Sequence, residues 1–141
     1  MEIQGYNMPE DLLYEENHFW YKAEGDVFVM GMDDFAQKMA GEIVYVQLPS
    51  EGKKLKAGKS LAKLESGKWL GKVVAPFDGE LIAVNEELET NPEKINQDCY
   101  GSGWMFKVKA DDPSNLGSLI QGAEAIEKWI LADIEKYAEE A

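Results

Sequence analysis

The sequence predicts a mostly β fold with small helices, a flattened barrel or sandwich joined to one C-terminal helix. Three observations carry this. Short runs rich in aromatic and β-branched residues, such as Phe19-Trp20-Tyr21 and Ile43-Val44-Tyr45-Val46, alternate with turns built on glycine and aspartate. The strings Gly41-Glu42-Ile43-Val44-Tyr45-Val46 and Gly79-Glu80-Leu81-Ile82-Ala83-Val84 share the pattern Gly-Glu-apolar-apolar-x-Val on either side of Ser66-Gly67. Such an echo suggests two similar β halves related by quasi-twofold symmetry. Finally, Ile126, Trp129, Ile130, Ile134 and Tyr137 fall on one face of a helix spanning about 122–139, with acidic residues opposite.

Each element has a local reason. Residues 1–16 are polar and acidic with scattered aromatics and read as an extended lead-in. Asn17 to Lys22 reads as a first strand, Glu24-Gly25-Asp26 as a turn and Val27 to Gly31 as a second strand. Asp33 or Asp34 can cap a short helix through Ala40, which Gly41 ends. Glu42 to Leu48 reads as a strand closed by Pro49, Ser50 to Gly58 as a charged loop, and Ser60 to Glu65 as the strand leading to the central turn. Beyond it, Lys72-Val73-Val74, Gly79 to Asn85 and Gly103 to Lys109 read as strands. Asn91 to Asn96 reads as a short helical turn, and Pro113 to Ile120 as a short helix or turn.

The 141 residues suit one domain, residues 1–141, with a modest core. Acids outnumber bases by 27 to 14, a net charge of −13, which disfavours a phosphate backbone as partner and favours basic patches on larger proteins. The opening Met1-Glu2-Ile3-Gln4-Gly5 lacks the basic-then-apolar pattern of a signal peptide, and no apolar run reaches membrane-spanning length. Cys99 is the single cysteine, so a reducing, cytoplasmic setting is the simplest expectation. One histidine, one cysteine and no glycine-rich phosphate loop give no catalytic triad and no metal-ligand cluster.

The chemistry concentrates at Leu64-Glu65-Ser66-Gly67-Lys68-Trp69. Ser66-Gly67 suits a tight turn because glycine reaches positive φ without steric cost, and Lys68 then sits at a hairpin tip. A lysine there has two readings: an ordinary exposed turn residue, or a residue acylated to carry a prosthetic group outward.

From Tyr14 to the last helix the chain resembles the glycine cleavage H-protein family, relatives of lipoyl and biotinyl carrier domains. His18-Phe19-Trp20 is similar to the family's His-Glu-Trp, and Gly31-Met32-Asp33-Asp34-Phe35-Ala36-Gln37 to its Gly-Ile-Thr-Asp-His-Ala-Gln. Gly41 to Pro49 resembles Gly-Asp-Ile-Val-Phe-Val-Glu-Leu-Pro, and Glu65-Ser66-Gly67-Lys68 the lipoylation motif Glu-Ser-Val-Lys. Ala75-Pro76, Asn85-Glu86-Glu87-Leu88 and Tyr100-Gly101-Ser102-Gly103-Trp104 complete the likeness. The resemblance implies a hybrid-motif lipoyl/biotinyl-like fold and a carrier rather than an enzyme. It implies lipoate covalently bound to Lys68, with Glu65, Ser66 and Gly67 forming the turn that a ligase recognises. Biotin is disfavoured because Gly67 and Trp69 replace the methionines of Ala-Met-Lys-Met.

Three positions depart from the family. Phe19 replaces the glutamate of His-Glu-Trp, Phe35 the histidine of Asp-His-Ala-Gln, and Lys72 an aspartate four residues after the lipoyl-lysine. In the family these groups are thought to shelter the loaded arm, so Phe19, Phe35 and Lys72 are the expected arm contacts. Phenylalanine accepts no hydrogen bond from an amine, and lysine only donates. Glu65-Ser66-Gly67-Lys68-Trp69 also resembles lipoate-binding proteins of sulfur oxidation. The leading expectation is therefore a specialised carrier serving a heterodisulfide-reductase-like complex. The alternative is a carrier of glycine cleavage, passing an aminomethyl group from glycine decarboxylase to aminomethyltransferase. Either implies a lipoate ligase or lipoyl transferase and dihydrolipoamide dehydrogenase as partners. A third reading is an interaction module needing no lipoylation. Cys99 is expected to be a partly buried small residue, with disulfide exchange with a dithiolane as the sharper alternative. His18 is expected to be packed.

Overall fold

In a computed structural model, residues 1–67, 70–112, 114 and 119–140 are described, with side chains of the last helix described to Tyr137. The lead-in is not simply extended. Strands β1 (Glu2–Ile3) and β2 (Tyr6–Asn7) close a hairpin over Gln4 and Gly5, both at positive φ, as a two-residue turn requires.

Strands β3 (Leu13–Glu15), β4 (Phe19–Glu24) and β5 (Val27–Met32) follow as a meander, the β4–β5 turn using Gly25 at φ 69°. Helix α1 (Asp34–Ala40) starts where Asp33 Oδ1 accepts the Ala36 N–H at 2.8 Å and ends at Gly41, φ 79°. Strand β6 (Ile43–Val46) leads to the charged segment, where β7 (Lys54–Leu55) pairs with the sheet instead of forming loop alone. Strands β8 (Ser60–Ser66), β9 (Leu70–Val74) and β10 (Gly79–Val84) follow. A 3-10 turn (Glu86–Glu89), α2 (Lys94–Gln97), β11 (Phe106–Ala110) and α3 (Ala123–Glu140) complete the order. The expected turn over Pro113 to Ile120 lies mostly outside the described residues.

A six-stranded sheet in the order β3-β4-β5-β11-β10-β7 faces a three-stranded sheet, β6-β8-β9. The echoed strings contribute β6 to one sheet and β10 to the other. Alternation along β8 buries Ala62, Leu64 and Ser66 and exposes Lys63 and Glu65, so one face of each sheet meets the other. Tyr21, Phe28, Met30, Leu64, Val73, Leu81, Phe106 and Val108 fill the space between.

A second cluster lies outside the sandwich. Ile3, Met8, Leu12, Tyr14, Trp20, Val29 and Phe35 pack with Ile126 and Ile130 of α3. The helical stripe read from sequence is thus the face that docks, with Ile126 and Ile130 fully buried. No helix among the described residues is long and apolar enough to cross a membrane.

Candidate functional site

The β8–β9 connection is short because Glu65 pairs directly with Leu70. Four residues, 66–69, therefore close it. Glu65 and Gly67 are exposed and Ser66 is buried, while Lys68 and Trp69 lie outside the described residues. Gly67 does not use the conformational freedom expected of it: its φ is not in the positive range, and a Cβ there would meet open space.

The three departing positions, far apart in the chain, meet at one cavity. Phe19 from β4, Phe35 from α1 and Lys72 from β9 line a cavity of about 300 Å³, together with Met32, Met39 and His18. Phe19 and Phe35 are buried, and Lys72 is exposed on the strand that runs from the 66–69 turn. The walls are mainly apolar, with Lys72 and Glu16 as the charged lining groups. Such walls fit an alkyl chain with a disulfide ring, which demands apolar surface and little hydrogen bonding.

His18 forms the ionic centre of the wall. It sits in the left-handed region, φ 71°, at the end of the β3–β4 turn. Its Nδ1 is 3.0 Å from Asp33 Oδ2 and its Nε2 2.7 Å from Asp133 Oδ2. The ring lies between Phe35, with centroids 4.7 Å apart, and Trp129, 4.6 Å away and nearly parallel. Burial alone would push the imidazole pKa down. The hydrogen bonds and charges of Asp33 and Asp133 together outweigh it and hold the pKa above the ordinary histidine range. The carboxylates sit on opposite ring nitrogens and do not converge, and no cluster among the described residues is arranged to hold a metal ion.

His18 was expected to be packed, and it is, but its two acidic partners were not foreseen. The sequence offers Asp33 or Asp34 as the helix cap; Asp33 Oδ1 does that work while its Oδ2 faces His18. Asp133 carried a signal that was passed over: it lies four residues after Trp129 and four before Tyr137, an acid inside the apolar stripe.

Cys99 is buried, its thiol pushed up to about 12 chiefly by burial, with the charges of Asp34 and Asp33 adding to it. Its carbonyl accepts a hydrogen bond from Trp20 Nε1 at 2.9 Å. A thiol so rarely ionised is a poor nucleophile for disulfide exchange.

A two-sheet sandwich with a short exposed hairpin beside a small apolar cavity is the architecture of a prosthetic-group carrier. Sequence comparison identifies the kind: the profile of the Glycine cleavage H-protein family matches residues 12–132, and the chain belongs to that family. A Probable glycine cleavage system H protein 2 of Sulfurisphaera tokodaii is 45% identical over 130 residues, covering 89% of this chain and 88% of its own. The Glycine cleavage system H protein of Idiomarina loihiensis is 44% identical, over 81% of this chain and 89% of its own. A Glycine cleavage system H protein 5 of Aquifex aeolicus is 44% identical, over 86% of each. The crystal structure of a glycine cleavage system H protein from Mycobacterium marinum superposes with a TM-score of 0.76 at 30% identity, covering 86% of this chain and 98% of that one.

Membership makes the chain a carrier rather than an enzyme, as the resemblance implied. These relatives are all named for glycine cleavage. The expected sulfur-oxidising specialisation, with its heterodisulfide-reductase-like partner, gains no support from them.

Proposed function

We propose that the protein is a lipoyl carrier of the glycine cleavage type, modified at Lys68 and passing an aminomethyl unit between glycine decarboxylase and aminomethyltransferase. The observation that supports it most is the pairing of Glu65 with Leu70, which leaves Lys68 in a four-residue connection beside the cavity-lining Lys72. When bound, lipoate supplies a disulfide that accepts an electron pair and a group on one sulfur. The chain's own residues supply the rest. Glu65 and Gly67 present the modification site to a lipoate ligase or lipoyl transferase. Phe19, Phe35 and Met32 give the cavity an apolar wall. Dihydrolipoamide dehydrogenase would return the arm to its oxidised form.

One observation favours a second reading. Phe19, Phe35 and Lys72 share the cavity, so at those positions an amine cargo would find two rings and a like charge, with Glu16 as the lining carboxylate. A carrier of a different cargo, such as the sulfur-bonded one expected from sequence, suits those walls. A module that needs no lipoylation would keep its function in Lys68→Arg. The deciding experiment supplies Lys68-lipoylated protein to glycine decarboxylase and glycine. Loading at a rate comparable to an ordinary H protein supports glycine cleavage. No loading, with the arm still reduced by dihydrolipoamide dehydrogenase, supports the second reading. Peptide mass mapping after digestion that finds lipoate elsewhere than Lys68 sinks both.

A further inference from the structure

We propose that His18, Asp33 and Asp133 form a proton-operated latch that fastens α3 over the cavity, closed when both nitrogens of His18 carry a proton and open when one is lost. The inference rests on the geometry around His18 and does not depend on what the cavity shelters.

An ionised carboxylate accepts hydrogen bonds and donates none. With Asp33 at one ring nitrogen and Asp133 at the other, both contacts are satisfied only if both nitrogens donate. The closed state is therefore an imidazolium. The aromatic ring of Trp129 stacked on it adds cation–π attraction. Three segments meet at this one side chain: the β3–β4 turn that carries His18, the start of α1 with Asp33, and α3 with Trp129 and Asp133. Tyr137, one turn beyond Asp133, lines the cavity and touches both Phe35 and His18 edge-on or tilted.

The two carboxylates are not equivalent. Asp33 is fully buried, its other oxygen is committed to the Ala36 N–H, and its own N–H donates to the His18 carbonyl at 3.0 Å. It has nowhere to turn. The Asp133 side chain is 22% exposed and can rotate into water. When one proton leaves for solvent, the favoured neutral tautomer keeps Nδ1–H toward Asp33 and turns the Nε2 lone pair on Asp133. The contact that joins α3 to the sandwich then changes from attraction to repulsion.

The field around the ring is otherwise mainly acidic: Glu15 at the end of β3, Glu16 in the turn after it, and Asp34 of α1, which acts on Asp33 and is itself paired with Lys38 at 3.1 Å, against Lys72 across the cavity. That balance favours the charged ring, in line with its raised pKa. A histidine held in the left-handed region, where Asn or Gly is easier, is a further sign that this position is specified by its partners.

The chain has a single histidine, so its state can be read without assignment. Long-range proton–nitrogen NMR across pH follows both ring nitrogens while hydrogen exchange follows amides 129–137. The expected result is two protonated nitrogens with a protected helix at low pH. Protection, corrected for intrinsic rates, falls by up to roughly tenfold per pH unit between the open-state value and the closed-state midpoint, and levels off above that midpoint, where Nδ1 alone is protonated. Asp133→Asn should lower the midpoint and make helix protection independent of pH, whereas Glu135→Gln on the exposed face should change neither. The latch is overturned if the helix stays equally protected through the titration. It is also overturned if the neutral ring keeps its proton on Nε2, or if both nitrogens remain protonated wherever the fold persists.

Discussion

His18 Nε2 and Asp133 Oδ2 stand 2.7 Å apart although 115 residues separate them in the chain. This contact ties the last helix to the turn that precedes β4. Removing the histidine leaves Asp33 buried without its cation. His18→Ala should therefore cost about 3–5 kcal/mol. Urea unfolding should show a lower midpoint with an unchanged slope.

The same group makes stability depend on pH. Its folded-state pKa is raised above the unfolded value near 6.5, so the unfolded state loses its proton first as pH rises. The stabilisation is complete below that unfolded value and declines as pH rises through the folded one. Urea midpoints measured from mildly acidic to alkaline pH should fall across that window. In His18→Asn the fall should shrink to the part that the buried Tyr14 and Cys99 contribute once pH nears their unfolded values.

Tyr21 gives the opposite lesson about buried polarity. Its hydroxyl is the one buried side-chain polar group without a hydrogen-bond partner among the described residues, and burial raises its pKa well above the ordinary range. Tyr21→Phe removes an unsatisfied donor while keeping the ring in the core. Stability should be unchanged or rise by about 1 kcal/mol, read from the thermal midpoint.

Two glycines should part company. A Cβ at Gly79 would collide with the Lys109 carbonyl across the β10–β11 ladder, whereas one at Gly67 would meet nothing. Gly79→Ala should destabilise by about 1–3 kcal/mol. Gly67→Ala should stay within about 0.5 kcal/mol of the parent. Denaturant titration of both variants checks the pair.

Cys99 should behave as a core residue. With its thiol pushed up to about 12, iodoacetamide should label it far more slowly in the folded than in the unfolded chain. Cys99→Ser should leave carrier turnover unchanged, which a role in disulfide exchange would not allow.

What the sequence made legible was local. The Asp33 cap, the Gly41 stop, the strand from Ser60 and the stripe on α3 each depend on residues a few positions apart, where backbone geometry fixes the outcome. The hairpin of residues 2–7 was missed because Gln4-Gly5 is a weak turn signal without the strand runs that normally flank it. β7 was missed because a two-residue strand, Lys54–Leu55, has no period to detect, and only its pairing to β10 defines it. The cavity could be anticipated as a set, Phe19, Phe35 and Lys72, only through the family resemblance. That they share one wall is a property of the packed sheets. The His18–Asp133 contact spans nearly the whole chain, and no spacing rule reaches that far.

The second hydrophobic cluster has a consequence for biosynthesis. The main core draws its buried residues from between Phe19 and Ala110, so the sandwich can consolidate while later residues are still inside the ribosome. The outer cluster cannot be completed at that stage: Ile3, Met8 and Leu12 share it with Tyr14, Trp20, Val29 and Phe35, and Ile126 and Ile130 join last. A nascent chain whose sandwich has formed before α3 emerges still has this cluster incomplete, with the side that faces α3 uncovered. That interval, rather than the finished protein, is when a chaperone would find something to hold.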